Sequence, residues 1–319
     1  MLPNVLHRSA TDHVPVLADE VRELLAVQPG ETVVDGTFGA GGHAATLAAE
    51  LHGEGKLIAI DRDPGVRPYF DRFKAGTGVQ ARLLRGEFSL VLNQLAANDV
   101  RADAILLDLG VSSMQLDIAD RGFSYSQDAP LDMRMNPDDE LTAALVLNTY
   151  SALEITRVLR HYGEEKFAKR IADAVVAQRA IEPFTTSARL VDLIRGSIPQ
   201  AARRSGGNPA KRTFQALRIE VNDELGALTR ALPASLDTLE VGGRVVALAY
   251  HSLEDRLVKQ AFARVTKNNA PRDLPIVPVH MLPKFKLVTR GSEQAAEAEI
   301  ADNRRAQSVR LRAVERIAA

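Results

Sequence analysis

The chain has 319 residues, 45% of them apolar, no cysteine and a formal net charge of −1. That length suits one large or two ordinary domains with a sizeable core, and the lack of cysteine excludes disulfides and thiolate metal sites. No run approaches the ~18 apolar residues of a membrane span and the start lacks a signal pattern. A cytoplasmic protein without membrane contact is therefore expected, and its near-neutral charge leaves any attraction to nucleic acid to local clusters.

The first strand is Thr32–Asp35, where two β-branched residues lead into an acid. A glycine-rich bend follows, with Gly36, Gly39, Gly41 and Gly42, and then an Ala/Leu-rich helix over His43–Leu51. Strand, tight loop and helix in that order place free helical N–H groups against a ligand. The second strand, Lys56–Ile60, ends at Asp61, twenty residues after Gly41, where an acid suits the two hydroxyls of a ribose. An adenosine-type cofactor is expected. The third glycine of a dinucleotide fingerprint, due at position 44, is replaced by Ala44. Asp35 lies four residues before Gly39 and would repel a pyrophosphate. Both features favour the positively charged S-adenosylmethionine. A nicotinamide or flavin cofactor, or a glycine turn that binds nothing, are the alternatives.

Asp63-Pro64 opens a further helix, Gln80–Arg85 reads as a third strand and Phe88–Ala97 as a helix. Ala104–Leu107 is a short all-apolar strand ending at Asp108, as expected where both faces are buried. This is a doubly wound α/β half. Its ligand belongs beyond the carboxyl ends of the strands, where Asp35, Asp61 and Asp108 fall. Each could instead be a helix cap or a turn residue.

The rhythm breaks over residues 112–139, a Ser/Asp/Gly/Pro-rich stretch without periodicity, of a length that is usually functional or disordered. Helix patterns follow. Ser151 and Glu154 form a capping box for a helix to Arg160; Glu164–Arg179 is a helix; Ser187 can cap Leu190–Ile194. A loop over 199–212 precedes a single apolar stripe of Phe214, Leu217, Val221, Leu225 and Leu228. Strand rhythm returns at Gly243–Tyr250, and Ser308–Val314 is a late strand; between them, residues 271–300 read as a surface loop. A helical module over 114–212 is thus inserted into an α/β domain made of 1–113 and 213–319.

No acid stands between Asp192 and Glu220, whereas Arg195, Arg203, Arg204, Lys211, Arg212 and Arg218 are basic. Arg203, Arg204, Lys211 and Arg212 are the expected phosphate contacts; Phe214 is expected in the core rather than stacked on a base. Ser252 with Asp255 reads as a helix N-cap, not as a nucleophile beside His251, and His43 as a loop histidine packing by its ring. No metal-ligand spacing is present, so no metal is expected.

Eight segments in one order then carry a resemblance: Asp35-Gly-Thr-Phe-Gly-Ala-Gly-Gly-His43, Ala59-Ile-Asp-Arg-Asp-Pro64, Leu106-Leu-Asp-Leu-Gly-Val-Ser-Ser113, Arg121-Gly-Phe-Ser124, Pro130-Leu-Asp-Met-Arg-Met135, Tyr162-Gly-Glu-Glu-Lys-Phe-Ala-Lys-Arg-Ile171, Arg212-Thr-Phe-Gln-Ala-Leu-Arg-Ile219 and His251-Ser-Leu-Glu-Asp-Arg256. From about His13 to Arg316 the chain resembles the bacterial RsmH (MraW) family. The resemblance implies a class I S-adenosylmethionine-dependent methyltransferase, Rossmann-like, with an inserted all-helical domain for substrate recognition. The implied substrate is the exocyclic N4 of a cytidine in 16S ribosomal RNA of the small subunit. It also implies cofactor contacts at Gly41, Gly42, His43, Asp61, Phe88, Asp108 and Gln115. Asp35 and Gly39 join them from the loop pattern, and Asp108 is the candidate for orienting the target amino group. Met114 stands where the family commonly has Pro, and Tyr250 where it often has Phe. A monomer and a dimer are both compatible with this reading.

Overall fold

A computed structural model describes residues 15–200, 208–268, 270 and 278–319. Seven strands occur among them: β1 (Thr32–Asp35), β2 (Lys56–Asp61), β3 (Gln80–Arg85), β4 (Ala102–Asp108), β5 (Leu239–Ala249), β6 (Phe285–Leu287) and β7 (Arg310–Arg316). They form one sheet in the order β3-β2-β1-β4-β5-β7-β6. Neighbours from β3 to β5 are parallel. β7 runs antiparallel to both β5 and β6. This is a doubly wound, Rossmann-like sheet with one antiparallel strand inserted near one edge. Ala104, Ile105, Leu106 and Leu107 are all buried, so both faces of β4 are covered. Strand order reverses between β1 and β4, which makes the crevice beyond their carboxyl ends the natural ligand site.

The helices are α1 (Ala18–Leu25), α2 (Gly42–Glu50), α3 (Arg67–Gly76), α4 (Phe88–Ala97), α5 (Ser113–Asp117), α6 (Ala143–Thr149), α7 (Ala152–Gly163), α8 (Ala168–Arg179), α9 (Ser187–Ser197), α10 (Ala210–Asn222), α11 (Glu224–Thr238), α12 (Ser252–Thr266) and α13 (Glu297–Asp302). The chain divides into two compact units. One holds the sheet and comprises residues up to Asp61, 65–109 and 231–319; the other is helical and comprises 62–64 and 110–230.

The helical unit has its own core, in which Ile155, Val158, Ile171, Val175, Phe184 and Ile194 are buried together. The Ser151 capping box forms as expected: Ser151 N donates to Glu154 Oε2 at 2.7 Å and Glu154 N to Ser151 Oγ at 3.2 Å. Phe214, Leu217 and Val221 of α10 belong to this same core. That packing carries the helical unit past position 212 to Arg230.

Several expected elements differ in detail. The stripe from Phe214 to Leu228 is two helices, because Asp223 adopts a left-handed backbone (φ 47°) between α10 and α11. Asp tolerates that conformation better than most residues do. The helix expected from Glu164 starts at Ala168, since Glu164 is itself left-handed (φ 48°) and Glu165 accepts from Phe167 N at 2.8 Å. Ser187 is the first residue of α9 rather than a cap further along. The stretch 112–139 contains α5 and a short 3-10 turn over Ala119–Arg121. Residues 278–300, expected as loop, include β6 and the start of α13. Among the described residues no helix is long and apolar enough to cross a membrane.

Candidate active site

Asp35, Asp61 and Asp108 are the last residues of β1, β2 and β4, three adjacent strands. The glycine loop hangs between them. Gly36 N donates to Leu106 O at 2.9 Å, Phe38 N to Ile60 O at 3.0 Å and Gly39 N to Asp61 Oδ2 at 2.8 Å. Asp61 therefore braces the loop. Gly41 precedes α2 with φ 82°, and a Cβ there would stand 2.7 Å from the Phe38 ring. Phe38 in turn meets Phe70 and Phe73 edge-on, with centroids at 5.6 and 5.7 Å. The loop rests on an aromatic bed, so its path is fixed before any ligand arrives.

Thr37 ties two of the acids together. Its N–H donates to Asp35 Oδ1 at 3.0 Å, and its hydroxyl accepts from Asp108 N at 2.7 Å. Asp108 Oδ1 accepts from the Tyr250 hydroxyl at 2.8 Å. Asp108 Oδ2 lies 3.7 Å from His43 Nε2. His43 stands in the first turn of α2 and is buried; neither ring nitrogen has a hydrogen-bond partner among the described residues. It is thus more than a ring packed in a loop: it faces Asp108. Phe88 is half-buried at the start of α4, beside Gly36.

The electrostatics are those of a negative pocket. Burial raises the Asp35 carboxyl to about 7; its bond from Thr37 opposes the rise, and the charges of Asp108 and Asp61 add to it. Burial also raises Asp108, against the pull of His43 and the Tyr250 hydroxyl. Burial lowers His43 and so favours the neutral imidazole. Neither Asp35 nor Asp108 is paired with Lys or Arg among the described residues. A cation would relieve this accumulation of charge, and a pyrophosphate would aggravate it. The donor set, the orphaned imidazole and the glycine cradle fit S-adenosylmethionine, which carries a sulfonium and an ammonium.

Residues 10–317 match the model of the MraW methylase family. The chain belongs to that family. Ribosomal RNA small subunit methyltransferase H of Frankia alni is 55% identical over 311 residues, covering 96% of this chain and 95% of that one. Proteins of the same name from a Nocardioides species and from Streptomyces avermitilis are each 54% identical, covering 97% of this chain and 98% of theirs. Family membership and the pocket's charge agree on S-adenosylmethionine as the cofactor.

Other expected site residues fare differently. Gln115 is buried in the helical unit, where its amide donates to Asp63 Oδ2 at 3.0 Å and accepts from Ser112 N at 3.0 Å. Asp63 also takes Arg121 Nη1 at 2.9 Å. Gln115 thus has a structural assignment in addition to any cofactor contact. Lys211 and Arg212 are exposed in the first turn of α10 rather than in a loop, and Arg212 also reaches Glu164 O at 3.4 Å. Arg203 and Arg204 lie outside the described residues. Arg218, part of the basic run, is committed to Glu224 at 2.8 and 2.9 Å. Phe214 is buried and meets Tyr125 edge-on, as expected of a core residue.

The cap of α12 is His251, not Ser252. Glu254 N donates to the ring Nδ1 at 3.4 Å, and the Glu254 carboxylate takes Tyr250 N and His251 N at 2.8 and 3.2 Å. Asp255 N donates to His251 O at 3.2 Å and its carboxylate takes Arg312 at 2.7 and 3.2 Å, so Ser252 is the first residue of the helix rather than its cap. Thr37, Tyr250 and Glu254 were not expected at the site. Each left a trace in the sequence: Thr37 inside the glycine loop, Tyr250 where the family often has Phe, and Glu254 in the segment His251–Arg256.

Proposed function

We propose that this methyltransferase transfers the methyl group of S-adenosylmethionine to the exocyclic N4 amino group of a cytidine in 16S ribosomal RNA of the small subunit, acting in the cytoplasm. The observation that supports this reading best is the set of strand-end carboxylates around the glycine loop, in a chain whose relatives carry the small-subunit RNA methyltransferase name from end to end. The helical unit, with Lys211, Arg212 and the neighbouring Arg203 and Arg204, is assigned to the RNA.

Bound against the loop, S-adenosylmethionine supplies an electrophilic methyl group. Asp61 would accept from the ribose hydroxyls, Gly41 and Gly42 would allow close backbone approach, and Phe88 would contribute to holding the cofactor. Asp108 and Asp35 attract the cationic end. The cytosine amino nitrogen is a poor nucleophile because its lone pair is delocalised into the ring. The protein's main task is therefore to hold that nitrogen in line, which positioning alone can accelerate greatly. In this reading Asp108 Oδ2 would orient one amino proton and receive it afterwards. The base must be unpaired or flipped to reach the pocket.

The test is nucleoside mass spectrometry of small-subunit RNA from cells with and without the gene. Loss of N4-methylated cytidine on deletion, and its return when purified protein and S-adenosylmethionine are added to the deficient subunits, is the expected result. Unchanged nucleosides would refute the reading.

A further inference from the structure

We propose that the Tyr250 hydroxyl is a positioning group for this methyltransferase: by engaging Oδ1 of Asp108 it aims Oδ2 alone at the reaction site. The inference rests on the reading that the pocket binds S-adenosylmethionine, and it adds a residue that the glycine-loop pattern gave no reason to include.

The geometry carries it. Asp108 is held at two points and faces a third group. Its backbone N–H donates to Thr37 Oγ1 at 2.7 Å, Oδ1 takes the Tyr250 hydroxyl at 2.8 Å, and Oδ2 stands 3.7 Å from His43 Nε2. That last distance is too long for a hydrogen bond, and the buried imidazole has no other partner among the described residues. Oδ2 therefore faces a buried imidazole that has no hydrogen-bond partner among the described residues, while Oδ1 is committed. Tyr250 itself has little freedom. It follows β5 directly, two residues beyond Leu248, which pairs with Asp108 in the sheet. Its backbone N–H is pinned by Glu254 Oε2 at 2.8 Å.

A carboxylate on a freely rotating bond presents either oxygen to a ligand; one tethered through a single oxygen presents the other in a fixed direction. Such tethering shortens the search for a productive geometry, as outer-shell partners do for ligating groups generally. The hydroxyl also acts on charge. The groups facing Asp108 are His43 from α2, Tyr250 from the end of β5, Glu254 from α12 and Asp35 from the end of β1; Arg305 faces Tyr250. Burial and Glu254 push the Asp108 carboxyl up, while His43 and the Tyr250 hydroxyl hold it down. Tyr250, raised by its own burial and by the Asp108 charge, keeps its proton and remains a donor throughout the working pH range.

The experiment is calorimetric titration of the full chain with S-adenosylmethionine between pH 6 and 9. It compares wild type, Tyr250→Phe, Asp108→Asn and the double variant, with thermal midpoints as the control for folding. Tyr250→Phe keeps the ring and removes one oxygen. It is expected to weaken binding about threefold to tenfold near pH 7 and to move the acid limb of the affinity profile to higher pH. In the Asp108→Asn background the same change should have no further effect, because Tyr250 acts through Asp108. A Tyr250→Phe profile superimposable on wild type would overturn the proposal, even if the midpoint drops, since the hydroxyl would then be only a packing group. An equal loss in the Asp108→Asn background would overturn it too. Failure of the wild type to bind S-adenosylmethionine at any pH would instead overturn the reading of the pocket on which the proposal stands.

Discussion

The acids that hold the stretch 112–139 and the acids at the strand ends are treated in opposite ways. In the helical unit, Asp63 is paired with Arg121 at 2.9 Å and Asp132 with Arg134 at 2.7 Å. Burial pushes the Asp132 carboxyl up, but Arg134 outweighs it and the net shift is downward. These acids hold the stretch 112–139 in place: Arg121 goes on to donate to Arg134 O and Met135 O, both at 2.9 Å. In the sheet unit, Asp35 and Asp108 are given neutral donors, and both carboxyls shift upward. Full pairing neutralises charge and produces structure. Pairing with a hydroxyl and a backbone N–H leaves negative potential for a cationic ligand. The same residue type therefore serves architecture in one region and binding in the other, and its partners tell which.

The largest effect is expected where an ion pair is broken. Asp63 is 1% exposed. Asp63→Ala strands Arg121 and removes the acceptor of Gln115, which should cost about 3–5 kcal/mol and open residues 112–139 to protease. Asp108→Asn should show no such loss, because it removes a charge that burial already disfavours. Urea unfolding and limited proteolysis of both variants check the contrast; equal losses would erase it.

Asp61→Ala comes next. It deletes the brace on Gly39 N and the acceptor for the ribose, with charge-assisted bonds worth ~1.5–3 kcal/mol each. The dissociation constant for S-adenosylmethionine should rise at least about tenfold, with far-ultraviolet circular dichroism unchanged. Unaltered affinity by calorimetry would remove Asp61 from the site.

Much of the site is legible in the sequence. Strand-end acids and the glycine loop stand out because a buried parallel strand is apolar to its last residue, so Asp35, Asp61 and Asp108 mark where each strand leaves the core. The Ser151 box was readable because its logic is local. What stayed hidden depends on backbone conformation or on partners far away in sequence. Asp223 ends α10 although the apolar stripe continues beyond it, since periodicity does not encode one left-handed residue. His251 displaces Ser252 as the cap because the chain stays extended through His251, whose carbonyl takes Asp255 N. Tyr250 meets Asp108 across 142 residues, through sheet register that a single strand does not display.

The arginines of the helical unit sharpen the comparison from the other side. Arg121, Arg134 and Arg218 are consumed by acids, whereas Lys211 and Arg212 lie in the stretch without any. Neutralising both should weaken binding to cofactor-saturated, methylation-deficient small subunits about tenfold near physiological salt and lower the salt slope by about two. S-adenosylmethionine affinity should stay the same. A wild-type salt slope would mean that these two cations only face solvent.

The smallest effect is a pH dependence, and its sign separates the two kinds of acid. Asp35 sits at about 7 in the folded chain, against about 3.9 when unfolded. An acid whose folded value is raised stabilises the fold while it is protonated. That contribution is complete below about pH 4 and is gone once the pH has risen past about 7. Over pH 6 to 8 the wild type should therefore lose about 1 kcal/mol that Asp35→Asn retains. The Asn carbonyl still accepts from Thr37 N, so the variant tests charge rather than shape. A bound cation favours the ionised carboxylate, so saturating S-adenosylmethionine should flatten the wild-type slope. Asp132, lowered by Arg134, must behave in the opposite sense: its contribution is present at neutral pH and fades only as the pH falls through the acid range. Denaturation midpoints measured at half-unit steps decide the matter. Parallel profiles for wild type and Asp35→Asn would mean that burial does not raise the Asp35 carboxyl, which would then be ionised in the folded and unfolded chain alike over this range.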